Sequence, residues 1–176
     1  MVLIVQRTLV VAAATVLIFL CAATDGRAQQ FLSTGRDTLR GLPGVEVLVE
    51  PLAPQLEKAG LMGSAIHANV QRYLGARGIT VYANQNANPS LAKPYLYVQV
   101  TGVSLPRGGY ALVVEVQVRQ TLRSLVTASA IVNAMSWDQQ MVVTLQPGDS
   151  MQGVHAEVQR LVDRFVQDWK AVHPAA

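Results

Sequence analysis

The chain contains three histidines, His67, His155 and His173, and a single cysteine, Cys21. A zinc site asks for ligands at close, fixed spacing, such as two histidines one helical turn apart with carboxylates or thiolates nearby. None of the three histidines has that spacing. His67 follows Ile66 and His155 follows Val154, each one position past an apolar residue of a helical pattern. This reads as two flank histidines at helix borders. The alternative is a metal bridging His67 and His155 across packed helices. "GLMGS" (Gly60–Ser64) precedes a helical pattern but lacks the lysine and spacing of a phosphate-binding P-loop. No Gly-x-Ser-x-Gly elbow occurs. Glu46 and Glu50 share a strand face, but four residues at about 3.3 Å each hold them too far apart for a close acid pair. No acid, base or nucleophile set emerges, and no cofactor or metal is expected.

Other residues suggest binding. In "PYLYVQVTGVSLPRGGYALVVEVQVRQ" (Pro94–Gln120), two strands alternate about a turn. Leu96, Val98 and Val100 share a face with Leu112, Val114, Val116 and Val118, which must be core. Tyr95, Tyr97, Gln99 and Thr101 share the other with Val113, Glu115, Gln117 and Arg119. The core positions are all even, so facing residues must sum to an even number. A direct four-residue turn sums to 215 and breaks the pattern, because a one-residue slip flips every side chain. The turn is therefore three or five residues long, or Gly102 forms a bulge. A sum of 214 sets Tyr95 opposite Arg119, and a sum of 216 sets Tyr97 there. Either register predicts an exposed patch of Tyr95, Tyr97 and Arg119, widened by Gln99 and Val113. Tyrosine and arginine are frequent binding hot spots. Trp137 reads either as core packed on a helix or as an exposed part of such a site.

The elements that carry these residues can be traced along the chain. "MVLIVQRTLVVAAATVLIFLCAATDGRA" holds Arg7 and then an apolar run from Leu9 to Ala23. That run suits a secretory leader and falls short of the roughly 20 residues needed to span a bilayer. Cleavage is expected after Ala28 or Ala23, with membrane contact only through this segment beforehand. Residues 1–28 are thus a predicted signal peptide, 29–40 a flexible lead-in and 41–174 a single domain. Cutting after Ala28 removes Cys21, so no disulfide is expected. It also removes Arg7, Arg27 and Asp25, taking the formal charge from +3 to +2. That balance gives no footprint for nucleic acid.

"VEVLVE" (Val45–Glu50) alternates as a half-buried strand and ends at Pro51 and Pro54. Met62, Ile66, Val70, Tyr73 and Leu74 have helical spacing, closed by Gly75 and Gly78. Ile79–Gln85 reads as a second strand and Ala130–Trp137 as a later one. Met141–Leu145 is either a short strand or a packed connector. Asp149 or Ser150 caps a final helix whose stripe runs from Met151 through Val154, Val158, Leu161, Val162, Phe165 and Trp169 to Val172. Arg164 and Asp168 stand at pairing distance on it. The expected fold is α+β. A mostly antiparallel sheet of four or five strands carries two amphipathic helices on one face, in the order β-α-β-β-β-β-α, with the first two strands parallel through the helix.

"LRGLPGVEVLVEPL", "YLGARGITV", "PYLYVQV", "YALVVEVQVRQ" and "LVDRFVQDWKAVHP" resemble a group of small exported bacterial proteins of uncharacterised function. The resemblance spans Leu39 to Pro174. Those proteins often carry Thr-Trp where this chain has Ser136-Trp137, and Asn-Pro where it has His173-Pro174. The architecture is similar, at fold level only, to the N-terminal domain of the Tol-system propeller protein and to the lipopolysaccharide-translocon plug. No activity or catalytic residue follows from either resemblance. The expected function is a non-catalytic binding or accessory role in the bacterial envelope, periplasmic or secreted, with an envelope protein or apolar ligand meeting a sheet face. A small hydrolase or metal-dependent enzyme is the alternative.

Overall fold

The computed structural model describes residues 35–123, 126 and 129–174, without the side chains of 130–132. The predicted signal peptide and residues 29–34 lie outside the described residues. A 3-10 helix (Gly35–Leu39) leads into β1 (Val45–Val49), α1 (Pro54–Lys58), α2 (Gly63–Ala76) and β2 (Val81–Tyr82). Then come β3 (Tyr95–Ser104), β4 (Tyr110–Arg123), β5 (Ala130–Leu145) and α3 (Gln152–Val172). The sheet order is β2-β1-β3-β4-β5. β1 pairs in parallel with both β2 and β3, while β3, β4 and β5 run antiparallel. The α+β class is as expected, with one short helix, α1, and one 3-10 turn added.

The hairpin pairing sums to 214 throughout, from Tyr95 opposite Arg119 to Ser104 opposite Tyr110. The turn is the five residues Leu105–Gly109, and Gly102 pairs with Leu112 without a bulge. Gly108 and Gly109 both have φ above +80°, a left-handed conformation that glycine adopts without steric cost. Gly102 solves a different problem. A Cβ there would lie 2.4 Å from both the Ala111 carbonyl oxygen and a Leu112 side-chain carbon.

The even positions of β3 and β4 are core: Leu96, Val98, Val100, Leu112, Val114, Val116 and Val118 are all buried. α2 packs over the β1/β2 half of this face and α3 over the β4/β5 half. Ile66, Val70 and Leu74 form the buried stripe of α2. Met62, expected in that stripe, is exposed at the N-cap, and Gly75 lies inside the helix rather than after it. Gly78, at φ +79°, is the glycine that turns the chain away.

Several local expectations need correction. Gly35–Leu39 is ordered: Leu39 is fully buried, and the Thr38 hydroxyl donates to the Ser136 carbonyl at 2.9 Å. A single turn held by one leucine has no periodicity to read. β2 covers only Val81–Tyr82, because the Asn84 carboxamide oxygen accepts from the backbone N–H groups of Asn86 and Ala87 and turns the chain. Met141–Leu145 is the second half of the long strand β5. Asp149 accepts from the backbone of Gln146 and so serves the preceding turn, while the Ser150 hydroxyl accepts from Gln152 at the helix start. The Arg164–Asp168 pair does not form, since Asp168 takes the Trp137 indole N–H at 3.0 Å. Arg164 reaches Gln167 instead, and Arg160 pairs with Glu157.

Candidate functional site

Two surfaces can be built from the sequence upward: the sheet face opposite the helices, and a groove between the helices.

On the outer face, Arg119 lies opposite Tyr95 but does not stack there. Its guanidinium sits 4.4 Å from the centre of the Tyr97 ring, one diagonal step away, within reach of a long side chain. Tyr95 meets the Tyr97 ring at 6.5 Å in an edge-on arrangement. The Tyr97 hydroxyl donates to the Glu50 carboxylate at 2.5 Å. Arg119 Nε donates to Gln117, whose amide donates in turn to Glu115. Gln99 faces Glu115 across the strands. The result is a hydrogen-bonded layer, and Tyr95 and Tyr97 are each only 9% exposed. The expectation of an exposed tyrosine patch is therefore corrected. Close neighbours on the same face, Arg119 among them, take up the rings.

The same packing sets the chemistry of Tyr97. Burial pushes its pKa up to about 12, and the hydrogen bond and charge of Glu50 push the same way, against Arg119. Its phenol stays protonated at neutral pH and its proton is committed to Glu50, so it is no base or nucleophile there.

Trp137 does not belong to this face. It pairs with Val118 on the core side, is 3% exposed and meets Phe165 edge-on at 5.4 Å. Its inward position depends on an irregularity: the β4–β5 register shifts at Val118/Arg119, leaving Ser136 as an extra residue. The bulge is well used. Ser136 receives Gln120 and Thr38 and donates to the Val118 carbonyl. The Ser136-Trp137 pair thus fastens the 3-10 helix and α3 to the sheet.

Beyond the polar layer the outer face turns apolar. Val113 and Val142 face each other on β4 and β5, 37% and 73% exposed, and Val103 on β3 is 63% exposed. Ala111 faces Val103 and Thr101 faces Val113. Strand alternation places Val113 here, but not Val142, whose side depends on the bulge.

On the helix side, His67 and His155 part company. The His67 ring lies 3.1 Å from the Val47 carbonyl oxygen and is used there. His155 lines a groove of about 280 Å³ between α2 and α3 with Asn69, Arg72, Tyr73 and Gln159. The alternative of a metal bridging His67 and His155 finds no support in that arrangement, and among the described residues no three metal-ligating side chains cluster. Ser64 borders a separate hollow that also carries Glu50 and Glu57, acidic groups that would oppose a phosphate. Among the described residues no helix is long and apolar enough to cross a membrane.

No family model matches the chain, and no curated protein matches it. Several solved structures align with the chain, among them two that cover most of it. One is a dodecamer of a PelC point variant from Paraburkholderia phytofirmans, at 14% identity and a TM-score of 0.36, covering 72% of this chain and 86% of that one. The other is a minor lipoprotein from Acinetobacter baumannii, at 12% identity and a TM-score of 0.29, covering 73% and 92%. Scores this low carry no argument, so no family is assigned on them.

Proposed function

We propose that the chain is an exported, non-catalytic binding module of the bacterial envelope that meets a protein partner through the apolar end of its outer sheet face. The observation that carries this reading is the patch of Val103, Val113 and Val142 on three adjacent strands, on the face the helices leave bare. Valines on a solvated sheet face cost solubility, so a patch of them beside a fixed polar layer suggests a docking surface. Valine, alanine and threonine on a pleat offer area rather than depth, which suits a protein surface better than a small ligand. Arg119 contributes as a preorganised rim, since its half-buried side chain is already held over the Tyr97 ring. The short apolar run and small residues before Gln29 support export.

The test compares partner recovery from envelope extract by the wild-type chain and by the double variant Val113→Asp, Val142→Asp. Both positions are exposed, so the fold is expected to survive. Loss of one reproducible partner supports the reading. Equal recovery by both chains contradicts it.

The alternative enzyme reading draws on the groove beside His155. Its lining holds no carboxylate and no serine, threonine or cysteine, and the Tyr73 hydroxyl is tied to Asp163. That chemistry favours binding over catalysis.

A further inference from the structure

The groove between α2 and α3 has an uneven supply of hydrogen-bonding groups. The Asn69 carboxamide oxygen is taken by the Arg72 guanidinium, and the Tyr73 hydroxyl donates outside the lining, to Asp163. The Gln159 amide nitrogen is buried without an acceptor. His155 is half-buried and makes no side-chain hydrogen bond among the described residues. Arg72 supplies a positive charge with donors to spare, and Arg77 adds another nearby, 4.4 Å over the Tyr73 ring. A buried donor without an acceptor is costly, and Gln159 belongs to a lining that includes the Arg72 cation and no carboxylate, Asp163 standing outside it behind the Tyr73 hydroxyl. The floor is apolar, made by Ile66, Val70, Ala76 and Val158.

We propose that this groove binds a small amphipathic carboxylate. The carboxylate is held by Arg72 and Gln159 beside His155, and a short aliphatic chain lies on the Ile66/Val70/Val158 floor. A volume of about 280 Å³ falls just below the usual range of ligand clefts, about 300 to 1,000 Å³, so the chain is short. A guanidinium pairs with a carboxylate through two parallel N–H donors, while the absence of a second cation within the lining disfavours a dianion such as phosphate. The site is on the helix side of the sheet and stands or falls independently of the outer valine face.

The probe is octanoate, titrated against the purified protein and followed by amide chemical shifts, with octanol, octylamine and inorganic phosphate as comparisons. Saturable octanoate binding is expected, with shifts concentrated in residues 66–76 and 155–159. Octanol and phosphate should bind at least tenfold more weakly, and octylamine not at all. Arg72→Gln should weaken octanoate about tenfold or more and Gln159→Leu by less, with neither variant lowering the melting temperature. Equal affinity of octanoate for wild type and Arg72→Gln, equal binding of octanol, tighter binding of phosphate, or shifts confined to another surface would each overturn the proposal.

Discussion

The Tyr97 hydroxyl lies 2.5 Å from the Glu50 carboxylate, joining the start of β3 to the residue that follows β1. With Arg119 over the ring, this bond makes one face of the sheet a fixed framework. The direction of the Tyr97 shift gives a pH dependence. Its folded pKa is raised from 10.0 to about 12, so the neutral form is favoured by folding. The associated stability is fully present below about pH 10 and is lost as pH rises toward 12. Spectrophotometric titration should find one tyrosine ionising near 12, and that transition should vanish in Tyr97→Phe. A set of tyrosines all titrating near 10 would contradict this.

Tyr97→Phe keeps the ring beneath Arg119 and removes only the bond to Glu50. A destabilisation of about 1 kcal/mol is expected, the usual net worth of such a bond. Arg119→Ala should cost a further amount of similar size by exposing the ring, as cation–π pairs at accessible sites contribute about 0.5–1 kcal/mol. Urea unfolding of both variants checks the two values.

Trp137→Ala should be among the most damaging substitutions, at about 3–5 kcal/mol, because it empties a core site against Phe165. Trp137→Phe retains most of the packing and leaves Asp168 without its indole donor, with an expected cost of about 1–2 kcal/mol. The ordering of the two in a denaturant series is the check. A neutral Trp137→Ala would mean that the indole is not part of the core.

Gly102→Ala tests the close approach of β3 and β4. The added methyl carbon would meet the Ala111 carbonyl oxygen at 2.4 Å, and the strands can relieve this only by moving apart. A loss of about 1–3 kcal/mol is expected, read as a shifted urea midpoint. An unchanged midpoint would show that the hairpin accommodates a side chain there.

Much of the fold was legible because β3 and β4 alternate without interruption. The parity of Leu96, Val98 and Val100 against Leu112, Val114, Val116 and Val118 ruled out a four-residue turn, and the five-residue turn satisfies it. The amphipathic stripe of α3 was legible for the same reason, a long regular period. Legibility failed where one residue breaks the period. Ser136 shifts the register of β5, so neither the inward side of Trp137 nor the outward side of Val142 could be read. Leu39 anchors a turn too short to show a pattern. The exposure of Tyr95 and Tyr97 was misjudged for another reason. Alternation tells which face a side chain takes, but not whether its neighbours on that face close over it. The His155 groove was invisible because its lining comes from two helices separated by most of the sheet in sequence.

The proposed docking role of the outer face is tested most directly by a photoreactive residue placed in turn at Val103, Val113 and Val142, with Gln167 on the exposed side of α3 as control, in cells producing the protein. The account predicts one adduct of the same discrete mass from all three valine positions, containing a second envelope protein, and none from position 167. No adduct at Val142, the same adduct from Gln167, or an adduct made only of two copies of this chain would contradict it.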